Sequence, residues 1–538
     1  MTNKQIQKWC LIRADASSEI GSGHVMRCLA LVGALQESGM SCVFVARHIS
    51  ESLKRLIIAK GHTFIALPED NLSPPSPDKG LYGAWLGTSE KEDAEAVLNA
   101  LSKTTQRLGQ PSLIMCDHYG LGQVWETFIA DTFKAPIFVI DDLSNRAHKC
   151  HILLDTTFGK TAEDYKDLVP NECQLLVGSK YALLRPEFAK AREAALSRRD
   201  TNFLEKRPVE ILVISMGGMD KDNVSLKMIQ AVEALSPLPK FKVEVLVGKD
   251  CVHLPMLREY AAQSSLDIIV HGGVESVADL YSRADLCIGA AGSSTWERCC
   301  LGLPTINVTI AENQETIAET LSSTGAVING GHFANIESNI FANTLLASTV
   351  YNHDVCHDLS ETCRSICDGF GIERVMSEIL NFTDLNENQD RKLVDANIQH
   401  VKTVFEWQKH PITRKYFVNK NIPSWAEHQT WMIKRLERVP LNYFIIEETE
   451  IPVGLVRCED FSDNFFQDAL EVSILVSPEH YGKNLATFGL KALVQRLRKR
   501  TLVAHIFDEN KASTKLFSKC GFLPYKPEYF VYKGVYET

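Results

Sequence analysis

Along residues 1–200, short runs of consecutive apolar residues alternate with longer stretches in which apolar positions recur every three to four residues. That is the pattern of buried parallel strands separated by amphipathic helices. The apolar runs predict strands at Cys10–Arg13, Ser41–Val45, Thr63–Ala66, Leu113–Cys116, Ile137–Ile140 and Ile152–Leu154, with helices at Val25–Glu37, Glu51–Lys60, Glu92–Thr105 and Trp125–Phe133. A charged stretch from Arg198 to Arg207 interrupts the pattern, which restarts with strands at Glu210–Ser215, Lys242–Leu246, Leu266–Val270, Leu286–Ile288 and Thr305–Val308. Two Rossmann-like α/β domains follow, 1–200 and 201–380, with a cleft between them. The polar segment 381–392 has few core anchors and reads as a linker. Residues 393–538 then run helix, helix, strand pair, strand, helix, strand, helix, strand, a small mixed α/β domain.

Composition narrows the function class. The 538 residues are 45% hydrophobic and 23% charged, so the chain can bury several cores. A formal charge of −10 excludes a broad basic face, and a nucleic-acid partner is not expected. The N-terminus lacks a signal-peptide core and no run approaches the ~18 apolar residues of a membrane span, so no membrane partner and a cytoplasmic location are expected. Fifteen cysteines, an odd number spread through strands and helices, fit reduced thiols. His353, Cys356, His357, Cys363 and Cys367 crowd together without a CxxC, and the Cys363/Cys367 spacing suits one helix face, so no metal is expected.

The chemistry concentrates in loops that follow strands. Gly21-Ser22-Gly23-His24 resembles a dinucleotide loop, yet Met26 stands where the third glycine belongs. The loop instead delivers His24 to the first turn of a helix, where the positive dipole end favours neutral imidazole, a general base near pH 7; alternatively His24 caps an ordinary βα unit. Met216-Gly217-Gly218 and Gly292-Ser293-Ser294-Thr295 follow later strands. Backbone N–H groups and hydroxyls there suit a phosphate, although an N-capped turn has the same composition.

Arg13-Ala14-Asp15-Ala16, Gly21 to Leu29, Asp117-His118-Tyr119-Gly120, Ile140 to Arg146, Ser215 to Gly218, Ala290 to Pro304 and Ala311 to Gln314 occur in the order of one family, across residues 1–370. In these runs the chain resembles the nucleotide-sugar hydrolases of pseudaminic acid biosynthesis. The resemblance implies a GT-B arrangement of the two Rossmann-like domains and hydrolysis of UDP-2,4-diacetamido-2,4,6-trideoxy-β-L-altropyranose to UDP and free sugar, without a metal. It implies His24 as the base that activates water and Tyr119 as a catalytic partner. Asp15, Gly23, Asp117, His118, Gly217, Gly292, Ser293, Ser294, Thr295, Glu297 and Asn313 are then expected to bind the UDP-sugar, Glu297 through the ribose.

Asn510 to Phe522 resembles the N-x-x-[SA]-x-x-x-[YF]-x-x-x-G-F ending of the GNAT N-acetyltransferases, which implies acetyl-CoA as co-substrate. Gly482, Lys483, Asn484, Leu485, Ala486 and Asn510 are the expected cofactor-binding residues. Here Tyr481 and Asn484 replace the family's Gln/Arg and central glycine, so Asn484 must adopt a backbone angle glycine usually supplies. Phe517 stands at the usual place of the acidic tyrosine, leaving Tyr525 or Tyr481 as alternatives. Glu471 is the expected base, and Trp407 and Trp431 are read either as acceptor-pocket lining or as core. The fusion suggests consecutive steps: acetylation of the 4-amino group of a UDP-sugar, then hydrolysis. The alternatives are the same two activities on another 4-amino-sugar, or a GT-B glycosyltransferase with an acyl-CoA-binding module.

Overall fold

A computed structural model describes residues 8–532 except 18–19, 70–79, 239, 275, 388–389, 416, 418–419, 438–441, 464–465, 467 and 498–499. The chain forms two compact units, residues 1–372 and 373–538. Among the described residues no helix is long and apolar enough to cross a membrane.

The first unit holds two parallel sheets. In one, β1 (Trp9–Ala14), β2 (Ser41–Ala46), β3 (Thr63–Ala66), β4 (Leu113–Asp117), β5 (Ile137–Ile140), β6 (Ile152–Asp155) and β7 (Gln174–Val177) lie in the order β3-β2-β1-β4-β5-β6-β7. The other comprises β8 (Ile211–Ser215), β9 (Lys242–Val247), β10 (Ile268–Gly272), β11 (Leu286–Ala290), β12 (Thr305–Thr309) and β13 (Ile328–His332), in the order β10-β9-β8-β11-β12-β13. Both are the doubly wound Rossmann order, as the sequence pattern predicts. Strands β1, β4, β5, β6, β11 and β12 are buried at every position or nearly so, because helices cover both faces. The half-exposed edge strands β7 and β13 escape the sequence reading; β13 contains Gly330 and Gly331 and has no apolar run to betray it.

In a sheet of this order the chain reverses direction between its first and fourth strands, and the loops leaving those two strands enclose a crevice. In the first sheet they are the loops after β1 and β4, which carry His24 and Asp117 to Gly120. In the second they follow β8 and β11 and carry Gly217 and Gly292-Ser293. The four motifs singled out by sequence are the four switch-point loops.

Within the polar segment 381–392, Asn381 to Glu387 end the helix Gly371–Glu387, and Arg391 and Lys392 open β14 (Arg391–Asp395). A helix packed on one face tolerates such polarity, which made the segment read as a linker. In the second unit β15 (Tyr443–Glu448), β16 (Ile451–Phe461), β17 (Ala469–Val476), β18 (Thr501–His505), β19 (Leu523–Lys526) and β20 (Tyr529–Tyr532) join β14 in the order β14-β15-β16-β17-β18-β20-β19. Only β17 and β18 are parallel, and they pair just from Ala469–Glu471 to Thr501–Val503 before parting. The helix Leu485–Arg496 lies close over this sheet because Gly489 has no side chain; a Cβ there would sit 2.3 Å from Ile446 Cδ1.

Candidate functional site

The helix Gly23–Glu37 buries Val25, Cys28, Leu29, Val32 and Leu35 against the first sheet, which fixes His24 at its start. Because β1 and β4 are adjacent, His24 comes beside Asp117 at the end of β4, and Nδ1 lies 2.5 Å from Asp117 Oδ1. A carboxylate only accepts, so in the neutral ring the imidazole proton resides on Nδ1 and the lone pair on Nε2. Nε2 has no hydrogen-bond partner among the described residues. Arg27, one turn further on, donates Nε to Asp117 Oδ2 at 2.6 Å and a second nitrogen to Asp142 Oδ2 at 2.8 Å. Burial pushes the Asp117 carboxyl up, but Arg27 and then His24 outweigh it and hold the group far below the usual carboxylate range. Asp117 therefore holds His24 and Arg27 and is itself fully buried, with no surface open to a ligand.

Tyr119 presents its ring edge to His24, centroids 4.5 Å apart. Burial, then the Asp142 carboxylate, raises its hydroxyl well above the ordinary value, so the proton stays on oxygen. Tyr82 and Trp85, on the helix Gly80–Leu86, pack on the same ring. Arg27, Asp142, Tyr82 and Trp85 were not among the residues expected from sequence. The spacing of Arg27 from His24, one helical turn, was the available signal, and Asp142 lies in the motif run Ile140 to Arg146; nothing local marked Tyr82 or Trp85.

Two expected ligand contacts are structural. Asp15 is fully buried: both its oxygens bind Arg13, and Oδ1 also accepts from the Arg47 and His48 backbones at 2.8 and 3.3 Å. It ties the loop after β2 to the loop after β1, contrary to the expectation that it faces a ligand. His118 is 2% exposed. Its Nδ1 accepts from Gly120 N–H at 3.0 Å, which places its proton on Nε2, 3.3 Å from Asp15 Oδ2. Burial lowers its pKa, in keeping with a neutral ring.

In the second sheet the turn after β11 is built over Arg298. This buried guanidinium donates to Ala290 O, Asn307 Oδ1, Thr295 Oγ1 and Ser294 Oγ at 2.8 to 3.1 Å. Thr295 is consequently sealed inside, contrary to the expectation that it faces a ligand. Ser293 is exposed, Ser294 half-buried, and Gly292 packs beside the Gln314 amide. Gly217 has φ +89° with open space around it, while Gly23 is exposed and needs no unusual angle; Gly21, at φ +78°, makes that turn. Glu297, 3.6 Å from Arg185, is pushed up to about 7 by burial despite that cation. The Asn313 side chain lies outside the described residues. Burial, then the carboxylates of Asp142 after β5 and Glu312 after β12, raises the Tyr82 hydroxyl above its ordinary value.

The second unit contains its own cleft, about 1290 Å³, where β17 and β18 part. Glu471, the last residue of β17 paired with β18, lines it together with Gly482, Asn484, Leu485, Ala486 and Asn510. Asn484 adopts φ 57°, ψ 16° at the start of the helix Leu485–Arg496, the left-handed angle the missing glycine requires. Leu485 is in the core, so only its backbone is available; Lys483 is exposed beside the lining. Asn510 caps the following helix, accepting from Ser513 N at 3.2 Å. Phe517 lines the cleft without a proton to give, and Tyr481 lies 3.4 Å from Thr413 Oγ1 on its rim. Tyr525 binds Asp463 instead and does not line the cleft. Trp407 belongs to the core, whereas Trp431 lines the cleft with Arg457 5.7 Å from its ring centroid and Arg414 nearby. Among the described residues no group of three or more His, Cys, Asp or Glu is placed to hold a metal; Cys356, Cys363 and Cys367 are buried.

Residues 392–523 match the acetyltransferase (GNAT) domain family. Over 526 residues the chain is 22% identical to an uncharacterized protein of Methanocaldococcus jannaschii, covering 95% of this chain and 96% of that one. It is 26% identical over 317 residues to the UDP-2,4-diacetamido-2,4,6-trideoxy-beta-L-altropyranose hydrolase of Campylobacter jejuni, covering 59% of this chain and 96% of that enzyme. Over 152 residues it is 25% identical to the acetyltransferase PseH of the same species, covering 28% of this chain and 87% of PseH. The chain thus joins a homologue of the UDP-diacetamido-trideoxy-altropyranose hydrolase to a C-terminal GNAT acetyltransferase domain.

Proposed function

We propose that the chain performs two consecutive steps on one nucleotide sugar. The second unit acetylates the 4-amino group of a UDP-linked 2-acetamido-4-amino-2,4,6-trideoxy sugar, and the first unit hydrolyses the resulting UDP-2,4-diacetamido-2,4,6-trideoxy-β-L-altropyranose to UDP and free sugar. The observation that carries the hydrolytic reading is the His24–Asp117 pair, with Nδ1 2.5 Å from the carboxylate and Nε2 left basic. His24 Nε2 takes a proton from water as that water attacks the anomeric carbon; the C–O bond to the diphosphate breaks and UDP departs from the opposite face. Before proton uptake, Arg27, Asp117, Asp142 and neutral His24 sum to one negative charge; afterwards they sum to zero, so the imidazolium forms without accumulating positive charge. The diphosphate is an acidic leaving group, so no second carboxylic acid is required. Gly292, Ser293 and Ser294 are the proposed diphosphate contacts, Asn313 a sugar contact, and Glu297, poised near neutrality, the ribose acceptor.

In the second unit the backbone around Gly482, Asn484 and Ala486 suits the acetyl-CoA pyrophosphate, because N–H groups are unpaired at a helix start. When bound, acetyl-CoA supplies the acetyl thioester. Glu471 sits where β17 and β18 part and is the proposed acceptor of the amine proton. Arg414, Arg457 and Trp431 suit an acceptor carrying a base and a diphosphate, which supports acetylation before hydrolysis.

Mass spectrometry of products from the full chain, supplied with the UDP-4-amino-sugar with and without acetyl-CoA, tests both steps. Acetylated free sugar and UDP are expected only with acetyl-CoA. An acetylated UDP-sugar that persists would overturn the hydrolase assignment and favour a glycosyltransferase that needs an acceptor.

A further inference from the structure

Across the splay from Glu471, the cleft of the second unit holds a histidine, His505. It ends β18, two residues beyond Val503, the partner of Glu471 at the last pair before β17 and β18 part. Paired residues of adjacent strands face one side of a sheet and alternate residues share a face, so Glu471, Val503 and His505 stand on the same face. Leu475 of that face packs with Trp407 and Met432 of the helices Val401–Lys409 and Trp425–Leu436. Leu502, Ala504 and Ile506 point the other way, to the helices Leu485–Arg496 and Lys511–Lys519. His505 thus borders the cleft on the side lined by Trp431 and Arg457. Its ring stacks on Tyr529, its partner across β18 and β20, with centroids 4.6 Å apart and planes within 12°. Nε2 lies 3.4 Å from Glu528 Oε2. A carboxylate only accepts, so in the neutral ring the proton is on Nε2 and the lone pair on Nδ1. Nδ1 has no hydrogen-bond partner among the described residues. The other charged groups around the ring are engaged: Lys526 of β19 binds Asp463, Glu459 of β16, opposite Glu471, accepts from Tyr443 at 2.8 Å, and Asp508 reaches Glu528 through its backbone N–H.

We infer that His505 is a second catalytic residue of the acetyltransferase site, whose Nδ1 takes the first proton from the acceptor's ammonium group while Glu528 positions the ring. This rests on the acetylation reading and deepens it. An amine with a pKa of ~8, the ordinary range of an α-amino group, is mostly ammonium near pH 7 and has no lone pair for attack. Its acylation removes two protons from nitrogen, and Glu471 accounts for one. An imidazole is closer in basicity to an ammonium group than a carboxylate is, which suits it to the first transfer. That proton passes to His505 Nδ1 and on to solvent. The freed lone pair forms the N–C bond to the acetyl carbon, the C–S bond breaks with its electron pair on sulfur, and the second proton passes through Glu471 to the thiolate.

The test follows release of the coenzyme A thiol from acetyl-CoA and the UDP-4-amino-sugar by the full chain and by His505→Gln, His505→Ala and Glu528→Gln, from about pH 6 to about 9.5, a window that brackets the amine. At pH ~7 His505→Gln should lower kcat about 10²-fold, and at pH ~9.5, where the amine is already free, the loss should shrink to within about threefold. The acid limb of kcat therefore moves up by about one pH unit or more, with the KM for acetyl-CoA within about twofold. Added imidazole should restore His505→Ala at least about tenfold at pH ~7. Glu528→Gln should move the limb toward lower pH, because the imidazolium loses its counter-charge. A loss by the same factor at both pH values in a folded His505 variant, or no loss at pH ~7, overturns the inference and leaves the acetylation reading intact. Glu528→Gln retains the imidazole and carries the comparison should the His505 variants unfold, and an unmoved limb then overturns the inference. Absence of thiol release by the unsubstituted chain at every pH removes the acetylation reading, and the inference with it.

Discussion

His24 Nδ1 and Asp117 Oδ1 stand 2.5 Å apart although 93 residues separate them in the chain. Their pairing follows from β1 and β4 being neighbours, and it determines which imidazole nitrogen is basic. Replacing Asp117 with Asn allows the amide to donate to Nδ1 and moves the proton to Nε2, the wrong tautomer. Asp117→Asn should lower kcat by about 10³–10⁴-fold with little change in UDP affinity. Because the two residues act as a unit, His24→Asn with Asp117→Asn should be no slower than His24→Asn alone, measured by UDP release.

Arg27 links two carboxylates, Asp117 and Asp142. In a double-mutant cycle of Arg27→Lys and Asp142→Asn, the effects on kcat/KM should be non-additive by about 1–3 kcal/mol, because Lys cannot span both groups. Additive effects would show that Asp142 acts independently of the His24 cluster.

His148 is fully buried, its Nδ1 2.7 Å from Glu126 Oε1 and its Nε2 3.8 Å from Asp141 Oδ2. Burial acts against its charge, yet Asp141 and Glu126 raise its pKa to about 9. A histidine raised in the fold stabilises it fully below the unfolded value of ~6.5, and that stability is lost as pH rises through about 9. Denaturant unfolding should show a decline on the order of 3 kcal/mol across this window, flattened in His148→Gln. Asp155 and Glu297, both raised by burial to about 7, lose their contributions below that value and the buried cysteines lose theirs above ~8.5, so the part of the decline that His148→Gln removes is the part due to His148.

Asn484 occupies left-handed backbone at φ 57°. Asn484→Gly should leave the KM for acetyl-CoA within about twofold, while Asn484→Val, which resists that angle, should raise it roughly tenfold. Calorimetric titration with coenzyme A should reproduce the order independently of turnover, and equal affinities would show that the angle is immaterial to binding.

Much of the fold was legible because the signals were local. Continuous apolar runs marked β1, β4, β8 and β11, and glycines marked the turns that leave them, so the switch-point loops were found in the sequence. The Asn484 angle was legible for the same reason, since one departure from a short motif carries one backbone consequence. Strand β13 was not, because an edge strand containing two glycines has no apolar periodicity. Thr295 was misplaced because its sequence neighbourhood has the composition of a phosphate turn; its hydroxyl is instead taken by Arg298, one helical turn away.

The sequence alone determined the central strands of both parallel sheets, the pair of Rossmann-like domains, the mixed C-terminal domain and the assignment of His24 to the start of a helix. Tertiary structure decided what each polar group serves. Asp15 and Asp117 follow similar apolar strands, yet the first is locked by Arg13 and the second holds His24. Trp85 reaches Tyr119 only because Gly120 admits the Tyr82 backbone. Periodicity is written in neighbouring residues, whereas the partner of a carboxylate is set by which strands and helices lie side by side.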